Sequence, residues 1–419
     1  MGYTLFEKII RNHSSAKKLC VGSIVEVDVD RMMIHDFFTP FCIEKFHMMG
    51  FSRVKFPDRI VFIYDHLVPA SFIGDYRHHK VAEEFASLQG IKNIHRHDGV
   101  CHQLMHEMGY IKSGDIVLGT DSHTTTYGAL GVLATGIGYT EMAAVLGTGK
   151  LWLKIAPTIR IKIDGTLSEG TYSKDIILQI LADISIDGAN YKIIEFQGET
   201  IDKMSIASRL VLSNMSVEAG AKAGLIAPDA KTIQYLQKHG IKDDIDLIKS
   251  DDDAEYEAEL NYRAEDFLPM VACPSSVDNC VHVCELSNIE IDQAFLGSCT
   301  NGRLEDLEIA SKILRGKQVH PNVRFIVVPA SIGVYREAIK KGIIELLVNA
   351  GVIINHPSCG LCAGRSGGIL VDGENIISSN NRNFLGRMGG NEVNIYLGSP
   401  ATVAASGLEG RIVDPRRYL

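Results

Sequence analysis

Apolar positions along the chain follow two periods, and short β-branched runs alternate with stretches of helical spacing. The runs predict strands at 59–66, 115–122, 158–165, 191–198, 292–299, 324–331 and 351–358. A short apolar run bounded by turn residues is typical of a strand that is buried on both faces. Repeated strand–helix–strand order predicts an α/β protein with mostly parallel sheets and helices on both faces.

Three helices are predicted from their apolar faces and end signals. Leu5, Ile9 and Ile10 share one face of an N-terminal helix. Asn301 is expected to cap a helix over 304–316. Ser331 is expected to open a single helix that Gly351 ends.

The chain is too long for one hydrophobic core. It has 419 residues, and single cores stop growing at roughly 250–300 residues. The acidic stretch 250–267 is predicted to be a solvated loop, and Pro157 precedes a new strand. We therefore expect domains at 1–157, 158–275 and 276–419.

Charge and composition narrow the function classes. The net charge is -9 without a basic stripe, which argues against a nucleic-acid partner. No apolar run is long enough for a membrane helix and no signal peptide is evident, so a cytoplasmic protein is expected. The nine cysteines are then expected to be reduced. Six of them are predicted to be small apolar core residues: Cys20, Cys42, Cys101, Cys273, Cys280 and Cys284.

The other three cysteines follow predicted strands and enter glycine-bearing loops. Cys299 lies in GSCTNGR, and Cys359 and Cys362 lie in HPSCGLCAG. A CxxC pair alone could be a redox motif, half of a zinc site or a chance pair. The third cysteine, with no fourth ligand at matching spacing, favours a [4Fe–4S] cluster whose open iron acts as a Lewis acid.

Four stretches place a histidine beside an acid or an amide where predicted strands end. A neighbouring acid raises the basicity of an imidazole and selects its tautomer, which suits proton transfer. A single histidine among fifteen is more often structural, so the set matters more than any member. The stretches are His35-Asp36, Asp65-His66, His102-Gln103 and Asp121-Ser122-His123-Thr124.

A polar loop near the C-terminus offers two guanidinium groups. Asn381, Arg382, Asn383 and Arg387 lie in NNRNFLGRMG, without an acid nearby in the sequence. Because arginine binds carboxylate through two parallel hydrogen bonds, this loop is a candidate for holding an acidic substrate.

DSHT, GSCTNGR, the CxxC pair and NRNFxGR occur in an order and spacing that resemble the aconitase superfamily. The resemblance runs nearly end to end and is strongest to the large subunits of its two-subunit dehydratases. It implies a hydro-lyase that reversibly dehydrates a hydroxy dicarboxylate or tricarboxylate. Isopropylmalate is the first choice of substrate, with homoaconitate, dimethylmalate, citraconate and citrate left open.

The resemblance also implies roles for individual residues. Cys299, Cys359 and Cys362 would hold one [4Fe–4S] cluster per chain. Asp65 and His66 would flank the departing hydroxyl, Asp121 would pair with His102, and His123 would pair with Glu218. His35 stands where aconitase itself has glutamine, and it is counted with the substrate-binding residues. The remaining residues expected to line the pocket or hold substrate carboxylates are Ser122, Asn214, Asn301, Asn381, Arg382 and Arg387.

The implied fold is three α/β/α domains with mostly parallel sheets, lacking the swivelling fourth domain of single-chain aconitases. A separate small subunit is therefore expected to supply the missing domain, with a substrate arginine and the serine that takes the carbon-bound proton. Two other classes stay open: an aconitase-like RNA-binding regulator and a zinc-dependent hydrolase. Visible absorbance from a cluster would favour the dehydratase over both.

Overall fold

A computed structural model describes residues 2–16, 18–242, 245, 247–286, 288–365 and 367–419. The chain forms two compact units. The first comprises Met1–Arg96, Leu104–Asp164 and Ala189–Tyr262, and the second comprises His97–Gln103, Gly165–Gly188 and Arg263–Leu419. The division at residues 157 and 275 stays a prediction.

The first unit is built on a five-stranded sheet in which all strands run parallel. Two of its inner strands, Ile60–Ile63 and Ile116–Gly119, are buried on both faces, as their continuous apolar runs predict. In sheet order the five strands are Asn93–His95, Ile60–Ile63, Arg31–His35, Ile116–Gly119 and Leu133–Gly136.

Two smaller sheets complete the first unit. One pairs Ile24–Asp28 with Lys150–Lys154 in antiparallel orientation. The other has four strands, in the order Ala223–Ile226, Ile193–Gln197, Thr158–Asp164 and Ala258–Arg263.

The last of these strands corrects the prediction of a loop over 250–267. Ala258–Arg263 lies at the edge of its sheet with mainly exposed side chains. An edge strand is held through its backbone and can carry polar side chains, so it lacks the apolar pattern that the prediction required.

The helices of the first unit surround these sheets. The N-terminal helix Leu5–His13 is confirmed; Thr4 and Glu7 cap it reciprocally, and Leu5, Ile9 and Ile10 are buried. The other α-helices are Thr39–Met48, Ile73–Gln89, Tyr139–Thr148, Glu199–Lys203, Ile206–Met215 and Ala230–Lys238, and the 3₁₀ helices are Pro57–Arg59, Ser122–Leu130 and Ser216–Ala219.

The second unit contains a seven-stranded sheet whose last five strands are mutually parallel. Of the first two strands, the second pairs with the parallel strands in antiparallel orientation, and the first pairs with the second, also in antiparallel orientation. In sheet order the strands are Cys280–His282, Met270–Ala272, Asn394–Gly398, Asn375–Ser378, Gln293–Gly297, Arg324–Val328 and Ile353–Ile354. The mixed α/β fold with mostly parallel sheets is thus confirmed.

Helices pack against this sheet and bury its apolar faces. The α-helices are Ser173–Ile184, Ser298–Asn301, Leu304–Leu314, Ile332–Lys340, Ile343–Asn349 and Pro400–Glu409, and the 3₁₀ helices are Ala264–Asp266, Val283–Glu285, Gly360–Ala363 and Pro415–Tyr418. One further helix, Cys101–Glu107, has its first residues in the second unit and the rest in the first.

Two predicted helix boundaries in this unit need correction. Asn301 is not the cap of the helix Leu304–Leu314, because the cap is Arg303 and the side-chain amide of Asn301 donates to Asp306 instead. Ser331 does open a helix, accepting from the backbone N–H of Val334. That helix ends at Lys340, since Gly342 adopts φ +70° and a second helix follows.

The cysteines outside the two motifs are less uniform than predicted. Cys42 and Cys101 are buried, but Cys20 and Cys284 are exposed, and Cys273 and Cys280 are half-buried. The core assignment was therefore wrong for the two exposed thiols, which lie in a turn and in a short 3₁₀ helix. Among the described helices, none combines the length and the apolar character needed to cross a membrane.

Candidate functional site

Three neighbouring strands of the five-stranded sheet end at predicted site residues. His35 is the last residue of its strand, Asp65 and His66 follow Ile60–Ile63 closely, and Asp121 follows Ile116–Gly119. The carboxyl ends of parallel strands lie at one edge of the sheet, where open α/β sheets bind their ligands. We call His35, Asp65, His66 and Asp121 the histidine group.

His66 lies between two carboxylates. Its Nδ1 atom is 2.7 Å from Oδ1 of the fully buried Asp65, and its Nε2 atom is 3.5 Å from Oδ2 of Asp121. Burial alone would lower the pKa of His66, but the charge of Asp65 and the interactions with Asp121 outweigh it and raise that pKa well above its ordinary value. These two carboxylates therefore favour the protonated form of His66.

His35 has the opposite electrostatic character. Its ring stacks on that of His66 with centroids 4.1 Å apart. Burial, followed by the neighbouring charge of His66, lowers the pKa of His35 to about 4. Among the described residues, neither ring nitrogen of His35 has a hydrogen-bond partner, so a buried neutral donor–acceptor pair stands beside a charged histidine.

Asp36 holds the segment that carries His66. Its carboxylate accepts hydrogen bonds from the backbone N–H groups of His66 at 3.1 Å and Leu67 at 2.9 Å. It also lies 3.1 Å from Nε2 of His79. Sequence reasoning named Asp36 only as the neighbour of His35, and it missed His79, which lies on the helix Ile73–Gln89 without any local signal.

His35, Asp36, Asp65 and His66 offer ligand atoms that all lie within 4.8 Å of one another, close enough to surround a metal ion. The carboxylate of Asp36 is already satisfied by backbone and imidazole donors. Asp65 bonds the imidazole of His66. These contacts favour proton handling over metal binding by this set.

His123 and Glu218 form a second, deeply buried couple. Nε2 of His123 lies 2.7 Å from Oε1 of Glu218, the pairing that the family resemblance implies. Asp121 caps the 3₁₀ helix Ser122–Leu130 by accepting from the backbone N–H of His123 at 2.7 Å. Ser122 places its Oγ 3.5 Å from Nδ1 of His123, so one turn orients both residues.

Asn214 lies on the helix Ile206–Met215 and is fully buried. Its side-chain amide donates to Oγ1 of Thr126 at 2.8 Å, and its backbone carbonyl accepts from Thr125 at 3.3 Å. Asn214 thus braces the helix that begins with the DSHT turn.

In the second unit, Cys299 follows the strand Gln293–Gly297 on the short helix Ser298–Asn301. Ser298 joins the two with φ +63°, a left-handed conformation that serine rarely adopts. Its hydroxyl is buried and has no partner among the described residues. Backbone strain of this kind persists where the surrounding structure enforces it, often at functional loops.

Cys359 directly precedes the 3₁₀ helix Gly360–Ala363 and Cys362 lies within it, and both are buried. Gly364 ends this helix with φ +67°, and a Cβ there would meet the carbonyl oxygen of Arg387 at 2.4 Å. Only glycine allows the CxxC segment to approach the backbone of Arg387 so closely.

Asn381 lies between two of the cysteine sulfurs. Its Oδ1 atom is 3.5 Å from Sγ of Cys362, and its Nδ2 atom is 3.5 Å from Sγ of Cys299. Nη2 of Arg387 lies 3.8 Å from Sγ of Cys362. Together with Cys359 these residues are called the cysteine group.

A buried network supports the Cys299 loop. Asp306 accepts from the side chain of Asn301 at 2.9 Å and from the backbone N–H of Arg303 at 2.9 Å. The guanidinium of Arg303 donates to the carbonyl of Thr300 at 2.7 Å and to the side chain of Gln103 at 3.1 Å. Burial, opposed by the charge of Arg303, raises the pKa of Asp306 to about 6.

The remaining predicted residues are placed as follows. His102 is buried next to Gln103 in the second unit, whereas Asp121 belongs to the first, and their pairing stays a prediction. Arg382 is half-buried beside Asn381. No pattern in the sequence indicated that Arg303 and Gln103 belong to one network.

The cysteine group fits an iron–sulfur cluster. It combines three buried thiols with amide and guanidinium groups against the sulfurs of Cys299 and Cys362. Iron–sulfur clusters bind through cysteine thiolates, and hydrogen bonds to the sulfurs tune them. The donor set thus suits the cluster that the sequence predicts.

The chain is similar to proteins of one family. The family described as "Aconitase family (aconitate hydratase)" matches residues 7–288 and 283–410. The "3-isopropylmalate dehydratase large subunit 1" of Methanopyrus kandleri is 46% identical over 100% of both chains. The "3-isopropylmalate dehydratase large subunit" of Halothermothrix orenii is 44% identical over 100% of both. The "Probable methanogen homoaconitase large subunit" of Methanothermobacter thermautotrophicus is 42% identical over 98% of this chain and 97% of that one.

Proposed function

Since this chain belongs to the aconitase family, we propose that it is the large subunit of an iron–sulfur hydro-lyase acting on a hydroxy dicarboxylic acid, with 3-isopropylmalate as the substrate. The observation that carries the reaction class is the placement of His66 against Asp65 and Asp121. Loss of water from a hydroxy acid needs a proton at the departing hydroxyl, and this placement keeps one available.

His66 is the proton donor in this proposal. Asp65 accepts at Nδ1 and is fully buried, so it fixes the tautomer and the orientation of the ring. The Nε2–H side, near Asp121, is then the side that gives its proton to the hydroxyl oxygen. In the reverse reaction the same nitrogen takes a proton from water.

Cys299, Cys359 and Cys362 would hold a [4Fe–4S] cluster. When bound, the cluster supplies a Lewis-acidic iron that polarises the hydroxyl to be lost. Asn381 hydrogen-bonds the sulfurs of Cys299 and Cys362, and Arg387 donates to the sulfur of Cys362. These contacts hold the loop that carries Asn381 and Arg387 against the cysteines. Arg382 and Arg387 supply positive charge for a substrate carboxylate.

Substrate choice and partner are inferred from the relatives. Those named 3-isopropylmalate dehydratase cover the whole chain, and this favours isopropylmalate and a role in leucine biosynthesis. Homoaconitate is the second candidate, because a relative with that name aligns almost as fully. "Large subunit" in these names supports a small subunit as the partner of this chain.

The proposal is tested by co-purifying the chain with a small subunit of the family under anaerobic conditions. The complex is offered 3-isopropylmalate, homoaconitate, 2,3-dimethylmalate and citraconate in separate assays, and the unsaturated acid is followed by its ultraviolet absorbance. We expect the highest kcat/KM with 3-isopropylmalate. Equal inactivity on all four substrates, in a complex that contains iron and sulfide, would overturn the proposal.

A further inference from the structure

A fully buried lysine lies behind the cysteine group. Lys174 is in the first turn of the helix Ser173–Ile184, and its side chain has no exposed surface. Its ammonium donates to the backbone carbonyls of Ser379 at 2.9 Å and Asn380 at 2.5 Å. The two bonded residues directly precede Asn381.

Burying Lys174 at this position costs free energy unless its ammonium group is hydrogen-bonded. Burial disfavours an ammonium group, and the first turn of a helix is the positive end of the helix dipole. Asp175 lies beside it and interacts with its charge, and this carboxylate also accepts from the backbone N–H groups of Met270 and Tyr172. A buried charge that donates to two carbonyls of one segment is suited to holding that segment in one conformation.

Lys174 bonds the segment 379–380, which links the strand leading to Cys299 with the loop that carries Asn381. Ser379 accepts, through its hydroxyl, from the backbone N–H of Gly297 at 3.0 Å, and its own N–H donates to the carbonyl of Phe295 at 3.0 Å. Gly297 is the last strand residue before Ser298 and Cys299. On the other side, Asn380 leads into Asn381, whose amide contacts the sulfurs of Cys299 and Cys362.

The side chain of Asn380 does not stabilise this segment. Asn380 is fully buried, yet neither polar atom of its amide has a hydrogen-bond partner among the described residues. An unsatisfied buried amide favours opening of the loop. The two hydrogen bonds that Lys174 donates to the carbonyls of Ser379 and Asn380 oppose that opening.

We propose that Lys174 is a positioning residue of the cysteine group: its ammonium fixes the backbone of Ser379 and Asn380, which sets the Asn381 amide against the sulfurs and the strand end that leads to Cys299. This inference rests on the proposed function, because the residues that Lys174 positions are those proposed to hold the cluster. The contacts themselves exist in the chain alone, so the test uses the chain before any cluster is loaded.

The test compares Lys174→Met with Lys174→Arg and with Lys340→Met, whose lysine is 70% exposed. Hydrogen exchange is measured at the amides of Gly297, Ser379 and Asn380, and iodoacetamide labelling is measured at each cysteine. We expect K174M to raise the rate of hydrogen exchange at these three amides roughly tenfold or more, and to raise the labelling rate of Cys299 and Cys362 by a similar factor. K174R, which keeps a charged donor, should restore most of the protection, and K340M should match the wild type.

Cys42 distinguishes local from global loosening, because it is buried in the first unit. A parallel rise at Cys42 would mean that K174M only lowers overall stability, and it would overturn the proposal, as would unchanged exchange in a folded K174M. If K174M does not fold, hydrogen exchange in the wild-type chain is the test. Slow exchange at the amides of Gly297 and Ser379 supports the proposal, and exchange as fast as in exposed loops overturns it. Unchanged exchange would leave the proposed function standing, whereas an inactive wild-type complex with protected amides would overturn that function alone.

Discussion

The ring of His35 stacks on the ring of His66 with centroids 4.1 Å apart, so a neutral and a charged imidazole lie side by side. Burial contributes most to keeping His35 neutral, and the charge on His66 adds to this effect. A neutral imidazole can both donate and accept a hydrogen bond. We therefore propose that His35 binds the substrate and that His66 transfers the proton.

Replacing His35 should weaken substrate binding without changing the pH profile. Loss of the only polar group of this side chain in His35→Leu should raise KM roughly tenfold. His35→Gln keeps an amide donor and acceptor and should show a smaller rise. Steady-state kinetics of the complex measure both, and a KM for H35L equal to that of the wild type would contradict the assignment.

The alkaline limit of activity should follow the pKa of His66. That pKa is raised, so the proton donor is present at neutral pH and is lost as the pH rises through the raised value. Asp65→Asn removes the largest factor that raises it, and the alkaline limb of kcat/KM should move to lower pH by about one unit or more. The exposed Asp187 offers a matched control, D187N. An alkaline limb that stays in place in an active D65N complex would exclude His66 as the titrating donor.

Asp115 should make the chain less stable as the pH rises from about 4 to about 7. Burial and the charge of Asp30 raise the pKa of Asp115 to about 7. The folded state therefore binds more protons than the unfolded state over this window, and the free energy of unfolding falls by up to about 4 kcal/mol. Asp115→Asn should flatten part of that slope.

Urea denaturation at several pH values measures the effect. Asp115 accepts from the backbone N–H of Lys112 at 2.9 Å, and the oxygen of an asparagine amide can keep this bond. The comparison therefore isolates the charge. A slope in D115N as steep as in the wild type would show that Asp115 titrates near its ordinary value.

The positions of several strands could be predicted from the sequence because they depend on local patterns. The runs at 59–66, 115–122 and 292–299 each contain an observed strand that ends shortly before a candidate site residue: Asp65, Asp121 and Cys299. The short polar motifs that follow those runs could also be recognised from the local sequence.

Contacts between distant segments could not be predicted in the same way. Asp36 and His79 are 43 positions apart, and Lys174 and Ser379 are 205 positions apart. No periodicity in a single sequence links such pairs, since they meet only when the sheets and helices have packed. The edge strand Ala258–Arg263 was missed for a related reason, because backbone pairing leaves no apolar pattern.

We propose that the thiols of Cys299, Cys359 and Cys362 hold the cluster on which dehydration depends. The most direct test measures sulfide content and the rate of 3-isopropylmalate conversion in one anaerobic complex, for the wild type and for Cys359→Ser. We predict that the wild type contains about four sulfides per chain and is active, and that C359S loses most of both. Undiminished conversion by a C359S complex that lacks sulfide would contradict the account.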